Sequence, residues 1–218
     1  MKWNSAHWRR KAAELQRFVE PLVAELGRSE RRQSAALYVQ GLLMPGQRKS
    51  IEPMAERLRV DSQVLQQFIA DSPWLERRVW QAIRREVIPM VEPLQAWVVD
   101  ETGWLKQGND SVGVSHQYCG AVGKQANCQV AVELVVSDGE VTAPVGGRLY
   151  LPEKWANDLP RREKTGVPEA VSFQTKPQIA ADLIAEVLAD GVTAAPILGD
   201  SVYGNAPELR ERIRGLGL

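Results

Sequence analysis

The hydrophobic period of this 218-residue chain changes once, near Leu94. Before that point apolar residues recur every three to four positions, the spacing of one helix face. After it they fall in continuous or alternating runs, the pattern of buried strands. One such switch predicts an α/β chain, a helical region over residues 1–92 followed by a sheet-containing domain over 93–218.

In the front region, Leu15, Phe18, Val19, Leu22 and Leu26 define a helix from Ala6 to Leu26 that Pro21 is expected to kink or split. Gly27 ends it. A second helix spans Ser29 to Leu43, with Ala36, Val39, Gln40 and Leu43 on one side, and Met44-Pro45-Gly46 stops it. Two short helices follow, from Ser50 to Leu58 and from Ser62 to Ala70. Arg59-Val60-Asp61 joins them, with Asp61 placed as N-cap. The second carries Val64, Leu65, Phe68 and Ile69 as its apolar side. This pair, at 50–71, has the proportions of a helix-turn-helix. Ser72-Pro73 opens a further helix reaching about Glu86, which Val87-Ile88-Pro89 ends.

In the back region, Ala96 to Val99, Val112 to Tyr118 and Cys128 to Val136 read as strands joined by turns, an antiparallel meander. Gly123 with Asn127, and Ser137-Asp138-Gly139-Glu140, mark the turns. Arg148 to Ser172 has no clear period and reads as an ordered excursion or a long loop. Thr175-Lys176-Pro177-Gln178 is a capping box for a helix whose apolar face is Ile179, Leu183, Ile184, Val187 and Leu188, closed by Gly191. A strand, Pro196 to Asp200, and a final helix from Asn205 complete a β-β-β-α-β-α order. A helical crossover makes the strands it joins parallel, so the last strand is expected beside the first.

That order gives two aspartates their meaning. Asp100 closes Trp97-Val98-Val99 and Asp200 closes Pro196-Ile197-Leu198-Gly199. Two carboxylates at neighbouring carboxyl ends of a sheet sit where open α/β sheets place their chemistry. Their hard oxygens suit Mg²⁺ or Mn²⁺. Two such ions assist in-line displacement at a phosphodiester. An aspartate in such a place can also simply cap a turn or a helix. Glu101 is expected to point to the opposite face from Asp100. Lys106 and Lys124 are candidates to meet phosphates, and Trp104 to stack on a base.

Formal charge is zero overall but unevenly distributed: residues 1–92 carry net +5 and residues 93–218 net −5. A basic front attached to an acidic back fits a nucleic-acid-binding segment joined to a metal-binding one. No apolar run reaches the length of a membrane span, and Met1 to Ser5 lacks the core of a signal peptide. A cytosolic protein is therefore expected. His116, Cys119 and Cys128 lack a fourth ligand for a zinc site and read as strand residues with free thiols.

Several blocks together resemble bacterial insertion-sequence transposases of the DDE superfamily, which have an RNase H-like catalytic domain. They include Gly41-Leu42-Leu43, Arg48 to Glu56, Asp71-Ser72-Pro73-Trp74, Val99-Asp100-Glu101-Thr102-Gly103 and Gln117-Tyr118-Cys119-Gly120. Arg148 to Glu153, Phe173-Gln174-Thr175-Lys176, and Gly199-Asp200 with Tyr203-Gly204 extend the likeness across nearly the whole chain. The resemblance implies that Asp100 and Asp200 are the first two catalytic acids, that the metal is Mg²⁺ or Mn²⁺, and that the partner is DNA at transposon ends. It implies DNA cleavage and strand transfer, a nucleoid-associated cytoplasmic location, and assembly with itself or with full-length transposase. The family pattern has Asp-Asp-Thr-Gly at the first acid, and Glu101 departs from it.

The family's third acid is a glutamate on a later helix. Glu208 and Glu211 come too early in the fold order to serve, and only 18 residues follow Asp200. The expectation is therefore a C-terminally truncated transposase, with an incomplete RNase H-like domain and no cleavage activity of its own. One alternative is a DNA-binding module, contacting DNA through Arg48, Lys49, Arg57 and Arg59, that inhibits the intact transposase. Another is a non-functional pseudogene product.

Overall fold

The computed structural model describes residues 5–218, with side chains from Arg10 onward. Met1 to Asn4, and the expectation drawn from them, lie outside the described residues. The chain divides into two compact units, residues 1–86 and 87–218.

The first unit is helical. It contains α1 (Ser5–Val23), α2 (Ser29–Leu43), α3 (Ile51–Leu58), α4 (Ser62–Ala70) and most of α5 (Glu76–Val91). α1 is not split at Pro21: it continues to Val23 and tightens into a 3₁₀ turn, Ala24–Leu26. Pro21 stands in the last turn, where its missing N–H costs a single bond. α2 buries Ala35 and Gly41 rather than the row through Leu43, which is exposed. The helix is rolled by the close approach of α3. A Cβ at Gly41 would lie 3.2 Å from Met54 Cβ and 3.1 Å from Leu58 Cδ1, so glycine lets the two helices approach without displacing either side chain. Met54, Ala55 and Leu65 then form a small core with Leu37, Tyr38, Ile51, Leu58 and Val60. Asp61 caps α4 as expected, accepting from Gln63 N–H at 2.9 Å. Of the apolar side expected for α4, Leu65 and Phe68 are buried, whereas Val64 and Ile69 are exposed.

α5 starts four residues later than Ser72 and runs through Pro89. The segment before it is held out of the helix by Trp74, whose ring stacks on Phe68 at 6.2 Å between centroids. At its other end Ile88 and Val91 are buried in the core of the second unit, which keeps the last turn helical around the proline.

The second unit is a five-stranded mixed sheet with helices on one face. Its strands are β1 (Ala96–Leu105), β2 (Ser115–Cys119), β3 (Lys124–Ser137), β4 (Thr142–Leu149) and β5 (Ile197–Gly199), in the order β2-β3-β1-β5 with β4 also on β3. β3 is long enough to pair with β2 over Lys124–Cys128 and with β4 over Ala131–Ser137. Asn127 belongs to this strand, not to the turn before it. β1 is antiparallel to β3 and parallel to β5. The strand β4 has no counterpart in the sequence reading. Its Pro144 and Gly146-Gly147 argue against a strand, yet an edge strand with a bulge opposite Leu134 and Val135 accommodates them.

The excursion after β4 holds α6 (Glu153–Ala156) and α7 (Leu159–Thr165). Trp155 anchors it, buried and donating from Nε1 to the Val114 carbonyl at 2.7 Å. α8 (Lys176–Ala189) opens on the expected capping box at Thr175 and Gln178. It lays Ile179, Leu183, Ile184 and Val187 on Trp97, Val99, Val132, Leu134 and Val136 of the sheet. After β5 come α9 (Ser201–Gly204) and α10 (Pro207–Gly215). The α/β class, with a helical front and an RNase H-like mixed sheet, is the fold observed.

Candidate active site

Alternation along β1 separates its two faces. Trp97, Val99 and Glu101 lie towards α8, while Val98, Asp100, Thr102 and Trp104 lie on the other face. β1 does not stop at Asp100, as the sequence suggested, but continues five residues to Leu105. The polar run survives in the sheet because its side chains find partners. Thr102 Oγ1 donates to Glu133 Oε2 at 2.8 Å, and Glu133 is the residue directly across from Asp100.

What ends beside Asp100 is the neighbouring strand. Val98 pairs with Leu198 and Val99 with Gly199, after which β5 gives way to α9. Asp100 and Asp200 are therefore the next residues on two adjacent parallel strands, whose backbones run about 4.8 Å apart. Both side chains are exposed. Asp100 Oδ1 accepts from the Glu101 N–H at 2.8 Å. Asp200 is the N-cap of α9, and its Oδ1 accepts from the Val202 N–H at 2.8 Å. Among the described residues the second oxygen of each has no protein partner.

Two exposed hard carboxylates fit a divalent ion of the Mg²⁺ type, which takes one or two carboxylates and completes its shell with water and substrate phosphate. Among the described residues no group of three or more His, Cys, Asp or Glu side chains is arranged to hold a metal. Glu101 faces away from the pair, as expected. Its Oε1 accepts from Tyr203 Oη at 3.1 Å and its Oε2 from Lys176 Nζ at 2.5 Å. Tyr203 is buried. Burial, and then the charge and hydrogen bond of Glu101 with smaller contributions from Asp200 and Asp100, push its hydroxyl pKa well above the usual tyrosine value. Sequence reasoning left Tyr203 and Lys176 without a role, although both stand in the blocks that carry the family likeness.

The other candidates are scattered. Trp104 shares the face of Asp100 and is 45% exposed. Lys106 lies beyond the end of β1, six residues and about 20 Å along the strand direction. Lys124 is nine positions along β3 from Glu133, about 30 Å away, so it is not brought to the acids. Arg48, Lys49, Arg57 and Arg59 belong to the first unit. Arg57 is committed to the turn before α3: its Nη2 donates to the Arg48 carbonyl at 2.8 Å, and its guanidinium fills the space over Gly46. Lys49 Nζ donates to the Met44 carbonyl. Arg48 and Arg59 are exposed. Cys119 and Cys128 are free thiols, both fully buried.

No helix among the described residues is long and apolar enough to cross a membrane. No solved structure matches the chain. The family model described as DDE superfamily endonuclease matches residues 21–218. A probable transposase for insertion sequence element IS701, from Microchaete diplosiphon, is 31% identical over 170 residues. That match covers 76% of this chain and 41% of the relative. The two aspartate-bearing strands thus lie within a family match that takes in both units, and the chain belongs to the DDE superfamily of endonucleases.

Proposed function

We propose that Asp100 and Asp200 form the metal-binding half of a phosphodiester-transfer centre acting on DNA at transposon ends, and that the helical unit supplies DNA binding. The observation that supports this reading is the parallel register of Val99 with Gly199, which makes Asp100 and Asp200 the next residues on two adjacent strands where β5 ends. Bound Mg²⁺ or Mn²⁺ would supply Lewis-acid activation of the attacking and leaving oxygens. The chain's part is placement. Backbone N–H groups orient one oxygen of each aspartate, and the pairing of β1 with β5 brings the two residues to neighbouring strands. Trp104, exposed on the same face, offers a stacking surface for an unpaired base.

No third carboxylate joins the pair among the described residues. For the 218-residue polypeptide we therefore expect Mn²⁺ binding without cleavage. Titration of Mn²⁺ should give one class of site that Asp100→Ala or Asp200→Ala removes. Unchanged binding in both variants would sink the metal reading. Mg²⁺-dependent nicking of transposon-end duplex by the polypeptide, lost in Asp100→Ala, would overturn the expectation of inactivity.

A second reading, a DNA-binding module that associates with full-length transposase and inhibits it, is favoured by α4. That helix carries no charged residue and buries only Leu65 and Phe68. Gln63, Gln66 and Gln67 lie opposite those two and are exposed, as is Val64. Side-chain amides at this spacing suit the edges of bases in a major groove. Arg59, at the turn before α4, supports it from another side. It has φ 58° and ψ 43°, the left-handed region that glycine occupies without strain. Arg59 is the C-cap of α3, its N–H donating to the Ala55 and Glu56 carbonyls, and an arginine rather than glycine at this exposed left-handed position fits a role for its charge towards a phosphate.

A further inference from the structure

We propose that Glu101 and Tyr203 are positioning residues: together they form a strut on the core side of the sheet that fixes the separation of Asp100 and Asp200. The proposal rests on the reading of those aspartates as a metal pair, and it assigns Glu101 a place outside the metal shell.

Glu101 follows Asp100 directly and points to the opposite face, so holding its side chain fixes the backbone from which Asp100 projects. Tyr203 lies within the one-turn helix that Asp200 caps. The bond from Val202 N–H to Asp200 Oδ1, and the one from Gly204 N–H to the Asp200 carbonyl at 2.8 Å, make Asp200 and Tyr203 parts of one small rigid body. The hydrogen bond from Tyr203 Oη to Glu101 Oε1, at 3.1 Å, therefore joins the two aspartate-bearing segments across 102 residues of sequence. Without a metal the two carboxylates repel each other, and β5 offers only three residues of pairing to resist that. The strut adds a tether at the point where the ladder ends.

Three features show a site assembled for this contact. Lys176 occupies the first position of α8, where a cation opposes the positive end of the helix dipole. Its ion pair with Glu101, and the Tyr150 ring 5.5 Å away, compensate for that placement. The pair is four-fifths buried, at 19% side-chain exposure for Glu101 and 23% for Lys176, so the carboxylate is neutralised where it meets the tyrosine. Gly199 makes room for Tyr203: a Cβ there would lie 3.0 Å from Tyr203 Cβ. Both oxygens of Glu101 are thus engaged on the side away from Asp100.

The test is Mn²⁺ binding by the 218-residue chain, followed by loss of the free-ion signal in electron paramagnetic resonance. Thermal melts by circular dichroism, run alongside, show that each variant is folded at the assay temperature. Asp100→Asn serves as the direct-ligand reference and should abolish binding. Tyr203→Phe, which removes one oxygen, and Glu101→Gln should each weaken Mn²⁺ affinity by about tenfold, the lower end of losses seen when groups behind a metal ligand are removed. The double variant should be no weaker than about the worse single one, because both substitutions break the same link. A merely structural role would lower the melting temperature without this non-additive effect on affinity. Wild-type affinity in both single variants, with Asp100→Asn deficient, overturns the strut and leaves the metal reading standing. Complete loss in Glu101→Gln would make Glu101 a ligand and also overturn it. Absence of binding in the wild type, or binding indifferent to Asp100→Asn, would remove the metal reading and the strut with it.

Discussion

Single side chains set narrow conditions in the second unit. Cys128 is a neutral thiol in the core. Burial, with Cys119 beside it, pushes its pKa from 9.0 to about 11. A folded-state pKa above the unfolded one gives stability that is intact below pH 9 and is lost as pH rises through about 11. Melting temperatures should fall across that window, and Cys128→Ala should flatten the slope. Asp182 shows the opposite sign. Burial alone would raise its pKa, but hydrogen bonds from Gln174 and Arg212, with the charges of Arg212 and Arg148, outweigh burial and hold it below the usual value of 3.8. Its contribution is present above 3.8 and disappears as pH falls through the folded value, so Asp182→Asn should blunt acid unfolding of this unit. Gly199→Ala should cost about 1–3 kcal/mol, measured by urea unfolding, because the added methyl meets Tyr203 with no slack.

Among the elements, α4 and the turn before it bear the most on partner choice. Arg59→Gly relieves a left-handed arginine and should stabilise the first unit by about 1 kcal/mol, while weakening duplex binding. A gain in stability with unchanged binding would leave the strain unexplained by DNA. Replacing Gln63, Gln66 and Gln67 together with alanine should change or erase the motif selected from a random duplex library, since amides read base edges rather than phosphates. Much of this region was legible: the N-cap at Asp61, the three-residue turn and the buried pair Leu65 and Phe68 all follow from pattern and capping chemistry. The commitment of Arg57 to the Arg48 carbonyl was not, because a basic side chain near a loop carries no mark of which oxygen it will meet.

On the scale of the whole molecule, the charge asymmetry is the property with the widest consequence. A +5 front and a −5 back should give duplex binding that falls steeply with salt and depends on the front. Arg48→Ala and Arg59→Ala should each reduce the slope of log affinity against log salt by about one, if each meets one phosphate. The core of the sheet domain is the face under α8. Trp97→Ala there should cost about 3–5 kcal/mol and leave the first unit folded.

Periodicity, caps and crossover order were enough to determine the helical front and the parallel pairing of the Asp200 strand with the Asp100 strand, but not the strand order: the expected meander is not formed, because β1 pairs with β3 and β2 lies on the far side of β3. The helical front and that parallel pairing depend on local spacing and on the handedness rule for a strand-helix-strand crossover, which a sequence carries within itself. Tertiary structure alone decided that β1 runs on through Asp100 and that Pro144 and two glycines form an edge strand. It also decided that Asp200 caps a helix while flanking Asp100, and that Glu101 turns back to Tyr203 and Lys176. Each of those outcomes turns on whether a polar group finds a partner from a distant part of the chain, as Thr102 finds Glu133 and Glu101 finds Tyr203. Burial of a polar run is permitted only when such partners are present, and their presence is a property of the assembled fold.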